Sequence, residues 1–351
     1  MRQKVPPFKE SFRANFRISL VMSCFGAIGF QGMFSDPPLL KAVLVVLAVV
    51  WSALAFSLTL ATAQTWLFPI LRFPSFLWTV LAISVSYLAV VLIGIPVGVA
   101  GTAALAVHGP NSATVAVRAV SYVLNPVVVL PAWIMMVVIT MYFHLSKMMG
   151  PGVLKNWMLG RYYRPRQEER VFMFLDIKDS TMLAEKMGDM AFSRYVQQFF
   201  DDLSDPVIKT KGEVSHYIGD EAVLCWKVDQ GLKNANVLRC FFLLKDVIQH
   251  HAQDYLKEFG VVPEFKAGAH LGSVVATQVG QIKSEIVFHG DVLNTTARTQ
   301  GLCNELGSEF LVSSSLVEAL GPTTEFRMMP MGRHSMKGKE DDVELFSVEL
   351  V

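Results

Sequence analysis

The stretch VFMFLDIKDST, residues 171–181, ends an unbroken apolar run on an acid. VFMFL (171–175) reads as a buried strand that runs into Asp176. Further on, YIGDEAVLCW (217–226) sets a second acid, Asp220, inside another apolar stretch. Gly219-Asp220, with Val214 before it and 222–226 after it, reads as the turn of a hairpin. Between the two acids, Phe192, Val196, Phe199, Phe200, Leu203 and Val207 fall at helical spacing. A strand end and a hairpin turn can bring two carboxylates together at a sheet edge. Like charges repel there, and a bound divalent cation makes the pairing favourable. The same residues also fit a plainer arrangement, in which Asp176 caps the following helix and Asp220 only turns the chain.

Downstream of residue 171, apolar or alternating runs at 214–218, 222–226, 264–270, 273–279, 285–289, 310–313 and 343–348 read as strands. Helical patterns cover 180–187, 190–209, 231–258, 292–306 and 314–320. This mixed order indicates an α+β domain, one central sheet with helices packed on it.

Upstream the composition changes. The 351-residue chain is 52% hydrophobic, and the excess lies in its front. Residues 1–150 hold 9 Lys/Arg against 2 Asp/Glu, while 151–351 hold 22 against 28. Four runs, 18–34, 39–67, 76–100 and 120–143, are long enough to cross a bilayer. Apart from Lys41 they contain no charged residue, which argues against an ion or proton path. The chain therefore reads as an all-α four-helix transmembrane domain (1–143), a linker (144–170) and the α+β domain (171–351). Basic residues in the N-terminal tail, at Arg72 and after the fourth run place both termini in the cytoplasm, at an inner or plasma membrane. LGRYYRPRQEER (159–170) is basic and aromatic, suited to lying on anionic lipid headgroups. The four cysteines form no CxxC pair and no disulfide framework, which fits a reducing compartment. His250-His251 reads as solvated, and His270 as a core or interface residue.

LDIKDST (175–181), YIGDEAV (217–223), HGDVLNTTAR (289–298) and MKGK (336–339) follow one another in an order that resembles the catalytic domain of class III nucleotidyl cyclases. The resemblance implies that family's ferredoxin-like α+β fold with a mostly antiparallel sheet. It implies attack of a ribose 3′-hydroxyl on the α-phosphate of a nucleoside triphosphate, with pyrophosphate leaving. Two divalent cations, magnesium or manganese, would be held by Asp176, the backbone carbonyl of Ile177, and Asp220. Backbone N–H groups of Lys178, Asp179, Ser180 and Thr181, opening a helix, would hold phosphate oxygens. Asn294 and Arg298, four apart and so on one helix face, would orient the ribose and meet charge on the phosphates. Lys337 would neutralise pyrophosphate. The resemblance also implies a head-to-tail homodimer, each site taking its acids from one protomer and its Asn–Arg pair from the other. No nucleic-acid partner is expected.

Base recognition departs from the family pattern. The two base-reading positions hold His216 and Val287. An imidazole donates or accepts according to its tautomer, and a valine side chain does neither. ATP is the favoured substrate, with GTP or a pyrimidine nucleotide open. Two other functions compete. IGDE (218–221) resembles the Gly-Gly-Asp-Glu turn of diguanylate cyclases, though that family has no need of the Asn294/Arg298 helix. A degenerate cyclase domain serving as a membrane signalling module is the non-enzymatic alternative.

Overall fold

In the computed structural model, the described residues are 160–351, apart from 283 and 336–341, together with the helix Phe76–Ala89 (α1) and scattered positions between 12 and 145. The chain divides into two compact units, Met1–Met148 and Met149–Val351. Most of the four long apolar runs lies outside the described residues. Among those described, no helix is long and apolar enough to cross a membrane. α1 coincides with the start of the third run and leaves Trp78, Leu81 and Val85 exposed.

The second unit is built on an eight-stranded sheet. Its strands are β1 (Arg166–Ile177), β2 (Glu213–Ile218), β3 (Glu221–Lys227), β4 (Phe265–Val279), β5 (Glu285–His289), β6 (Phe310–Ser313), β7 (Phe326–His334) and β8 (Val343–Leu350). They lie in the order β2-β3-β1-β4-β6-β8-β7, with β5 paired to β4. Only the β4–β6 pairing is parallel. The longer helices are α2 (Ser180–Met187), α3 (Asp189–Lys209), α4 (Asn236–His250), α5 (Ala252–Phe259), α6 (Asp291–Gly301) and α7 (Ser314–Leu320).

β1 is apolar without a break because both its faces are covered. Val171, Met173, Leu175 and Ile177 pack with Tyr195, Phe199 and Leu203 of α3 and with Phe241 and Leu244 of α4. Phe172 and Phe174 point the other way, onto Val223, Val274, Phe288 and Val292. Each such side chain contributes about 1.5–3 kcal/mol on full burial. Asp176 continues the second series, so its side chain emerges on the face that α6 covers.

Several boundaries differ from the sequence reading. The stretch read as a linker to 170 ends inside the fold. β1 begins at Arg166, Tyr162 is buried, and Arg170 is 1% exposed. The Arg170 guanidinium is enclosed by protein groups. It donates to Tyr162 Oη at 3.1 Å, Glu168 Oε2 at 3.0 Å and Glu213 Oε2 at 3.2 Å, and faces the Phe288 ring at 4.9 Å. Tyr162 and Arg170 thus pack on the sheet, while Tyr163–Gln167 between them are exposed. The runs 264–270 and 273–279 form one strand, β4, passing through Gly272. The pattern at 231–258 is two helices, since α4 stops at His250 and α5 starts at Ala252. α6 ends at Gly301 instead of 306. β7 was not anticipated, because Pro330 and Gly332 interrupt it; as the last strand in the sheet it tolerates a missing donor.

α6 reaches the sheet closely at one point. A Cβ on Gly268 of β4 would lie 2.2 Å from the backbone nitrogen of Gln300 and 2.6 Å from its Cα. Only hydrogen fits there. At Gly301 a Cβ would meet nothing within 4 Å. Gly268→Ala is therefore expected to lower stability by roughly 1–3 kcal/mol through overpacking, whereas Gly301→Ala stays within a few tenths of a kcal/mol or gains slightly. Thermal or urea melts of the two variants check this; equal midpoints would contradict the close approach.

Candidate active site

The sheet register assembles the acidic site. Asp176, next to last in β1, is paired with Glu221 of β3 on one side and Lys266 of β4 on the other. Asp220 immediately precedes Glu221 in the two-residue β2–β3 turn. The turn needs Gly219, whose φ of +64° suits glycine. The two acids singled out in the sequence are thereby brought side by side.

Their electrostatics reflect crowding. Burial, then a hydrogen bond that the protonated Asp176 donates to the Asp220 carboxyl and the charge of Asp220, push Asp176 up to about 6; Lys266 and Gln300 pull it back. Burial, then the charges of Asp176 and Asp220, push Glu221 up to about 7. Lys266 Nζ lies 3.7 Å from Asp176 Oδ2, and Gln300 Nε2 donates to the same oxygen at 3.1 Å. Asp220 Oδ2 is buried and has no hydrogen-bond partner. A buried carboxylate oxygen without a donor, beside a second carboxylate, fits a cation. Among the described residues no cluster of three or more His, Cys, Asp or Glu could hold a metal. The donor set that fits is thus the two aspartates, with the backbone of Ile177 beside them. The Ile177 side chain is 1% exposed in the core, leaving only its main chain to contribute.

The segment after Asp176 turns sharply. Asp179 has φ +54°, a left-handed conformation that is strained for a non-glycine residue, and its side chain does not cap α2. Its carbonyl accepts from Leu183 N at 3.0 Å. Lys178 differs from the expectation for it. Its N–H already donates to Glu264 O at 2.8 Å, and its ammonium pairs with Glu264 and Glu309. Of the four N–H groups expected to meet phosphate, that of Lys178 is already taken.

α6 carries Asn294 and Arg298. Val292, Thr295, Thr296, Thr299 and Gln300 face inward, buried, while Asn294 is exposed and Arg298 half-buried. Among the described residues no hydrogen bond or ion pair joins Asn294 or Arg298 to Asp176 or Asp220. Within one chain the Asn–Arg pair thus makes no direct polar contact with the acid pair among the described residues. The base-reading candidates are also apart. His216 lies on β2 and Val287 on β5, with β3, β1 and β4 between them. A bulge at Ser215 re-aims His216, and Ser215 Oγ meets His216 Nδ1 at 2.7 Å, leaving Nε2 for another partner. Lys337 falls outside the described residues.

Two residues at the acid pair, Gln300 and Lys266, are not among the candidates that the sequence motifs single out. The signal for Lys266 was its place ahead of Gly268 at the start of a strand; Gln300 gave none beyond lying six residues after Asn294. His251, expected to be solvated, bonds through Nδ1 to buried Asp202 at 2.9 Å. His270 Nδ1 bonds to Ser313 and Ser315 at 2.7 and 3.1 Å, in keeping with a packed role.

An eight-stranded, mostly antiparallel sheet with helices packed on it, and an acid pair where a strand end meets a hairpin turn, define the class of domain. The family described as the adenylate and guanylate cyclase catalytic domain matches residues 162–349, and the chain belongs to it. Adenylate cyclase 2 of Rhizobium meliloti (strain 1021) is 37% identical over 202 residues, covering 58% of this chain and 56% of that protein. Adenylate cyclase 1 of the same strain is 24% identical over 187 residues, 52% of this chain and 28% of that protein. This chain thus spans little more than half of the first relative and less of the second. The fold is also that of a bacterial light-regulated adenylyl cyclase, with a TM-score of 0.51, 19% identity, 62% of this chain and 64% of that one.

The raised carboxyls make a pH prediction. Folding raises Asp176 from 3.8 to about 6 and Glu221 from 4.5 to about 7, so the folded state holds more protons than the unfolded state in this window. Their contribution to stability is therefore largest at low pH and is lost as pH rises through 6 to 7. Without divalent metal, Asp220→Asn is expected to gain more melting temperature over the parent at pH 8 than at pH 5. An equal gain at both pH values would show that the two acids do not interact.

Proposed function

We propose that this chain is a membrane-anchored adenylate cyclase, converting ATP to cyclic AMP and pyrophosphate at two sites shared across a homodimer. The observation that carries this reading is the acid pair, Asp176 beside Asp220 with its unpartnered Oδ2, set under a helix whose outer side holds Asn294 and Arg298. The 3′-oxygen forms a bond to the α-phosphorus, the bond from that phosphorus to the bridging oxygen breaks, and the hydroxyl proton is given up. Two divalent cations, magnesium or manganese, supply acidification of that hydroxyl and charge for the triphosphate when bound. Asp176, Asp220 and the Ile177 carbonyl hold them. N–H groups of Asp179, Ser180 and Thr181 receive phosphate oxygens at the start of α2. Lys266, beside Asp176, adds positive charge on the same side.

From the partner come Asn294, which orients the ribose, and Arg298, which meets charge on the phosphates. Lys337 takes the leaving pyrophosphate. The names of the two relatives support adenine as the base. His216, its Nδ1 held by Ser215, offers Nε2 to the ring, and Val287 offers only its main chain. The apolar front half anchors the enzyme with four spans and the catalytic domain in the cytoplasm. The exposed Trp78, Leu81 and Val85 on α1 support a lipid surround.

Incubating the purified protein with each of the four nucleoside triphosphates and manganese is expected to yield cyclic AMP from ATP. Asp176→Ala and Asp220→Ala should each lower turnover at least about a hundredfold with the fold intact. Mixing Asp220→Ala with Arg298→Ala chains should restore part of the activity through one complete site. A product other than cyclic AMP would replace the substrate assignment, and no recovery on mixing would remove the shared site.

A further inference from the structure

The side chain most directly placed to control Asp176 is one that the catalytic reading leaves without a task. Gln300 sits at the inner end of α6, 6% exposed. Its Nε2 donates to Asp176 Oδ2 at 3.1 Å across a sequence separation of 124 residues. It does not hang on a mobile tether. Its backbone nitrogen lies where a Cβ on Gly268 would come within 2.2 Å, so this turn of α6 is pressed on the sheet. Gly268 is paired with Phe174, two residues before Asp176 on the same strand face. The amide is therefore delivered to Asp176 by backbone packing.

A buried carboxylate amid Asp220, Glu221 and Lys266 has competing pulls. Asp220 repels it, and Lys266 draws the same Oδ2 from 3.7 Å. A neutral amide on Oδ2 fixes the rotamer without consuming the negative charge. It leaves Oδ1 for another partner. Metal-ligating carboxylates are commonly oriented by such hydrogen bonds, whose loss weakens metal binding.

We propose that Gln300 is a positioning residue for Asp176: its amide holds one carboxylate oxygen so that the other is presented to a divalent cation. This rests on the metal-site reading above. A second consequence follows from the helix. Gln300 works on the acid pair of its own chain, whereas Asn294 and Arg298 on the same helix serve the partner's acid pair.

The test is manganese binding to full-length protein without nucleotide, read by calorimetry and by the rise in melting temperature with added manganese. Gln300→Leu keeps the volume and removes the donor; Gln300→Met is the second variant should the first not fold. Affinity is expected to fall roughly tenfold to a hundredfold, with the metal-free melting temperature somewhat lowered, because the buried Asp176 carboxylate loses a donor. Parent-like affinity in a folded variant overturns the proposal. Absence of manganese binding by the parent overturns the metal-site reading and this inference with it.

Mixed dimers separate positioning from helix support. With one Asp220→Ala chain and one Arg298→Ala chain, the working acids belong to the Arg298→Ala chain. Gln300→Leu placed on that chain should raise the manganese concentration needed for half-maximal activity. Placed on the Asp220→Ala chain it should leave that concentration unaltered. An effect confined to the second placement would make Gln300 a support for Arg298 and overturn the proposal.

Discussion

Two aspartates held side by side by strand register are the constraint on which the rest of this domain depends. Neither can move away from the other. Asp176 is fixed by β1, which is bonded on both edges, and Asp220 by a two-residue turn joined to β3. Repulsion between them would open a loosely packed sheet. Here β1 is locked by aromatic and aliphatic side chains on both faces, and the acids are obliged to share a proton or a cation. Lys266 and Gln300 are the protein's own partial answer to that charge. Neither reaches Asp220 Oδ2, which is buried without a donor.

Much of this arrangement was readable in the sequence, for a definite reason. An apolar run that ends in Asp, and a Gly-Asp pair between two apolar runs, are local patterns, and local patterns predict strand ends and turns. The hairpin turn at Gly219-Asp220, β5 and β6 emerge where the sequence puts them. What was not readable is what strand order decides. Nothing near residue 300 announces that its amide meets residue 176. That meeting needs β4 beside β1, α6 laid over β4, and a glycine at 268 to let the helix down. Lys178 illustrates the converse. Its position at a helix start suggested phosphate binding, but Glu264 and Glu309, distant in sequence, claim both its N–H and its ammonium.

At the entry to the domain composition told only part of the story. Tyr163–Gln167 are at the surface, as Arg and Tyr together suggest, yet Arg170 is buried among Tyr162, Glu168, Glu213, Cys225 and Phe288. A guanidinium with that many acceptors is satisfied inside a protein. The consequence is mechanical. Residues 162–170 are tied to β2 through Glu213 and to β5 through Phe288. These are the two strands that carry His216 and Val287.

α6 turns one set of side chains to the acid pair and another set away from it. A helix has one inner face. Here it is filled by Val292, Thr295, Thr296, Thr299 and Gln300, which press on the sheet and touch Asp176. Residues four apart on the outer face, Asn294 and Arg298, must then point away from the acids beneath. On the shared-site reading this is a requirement of geometry rather than an accident. The helix that steadies one acid pair from below can present its amide and guanidinium only to another chain's acid pair. Catalysis would then depend on dimerisation because a single rigid helix cannot turn both faces toward the same carboxylates.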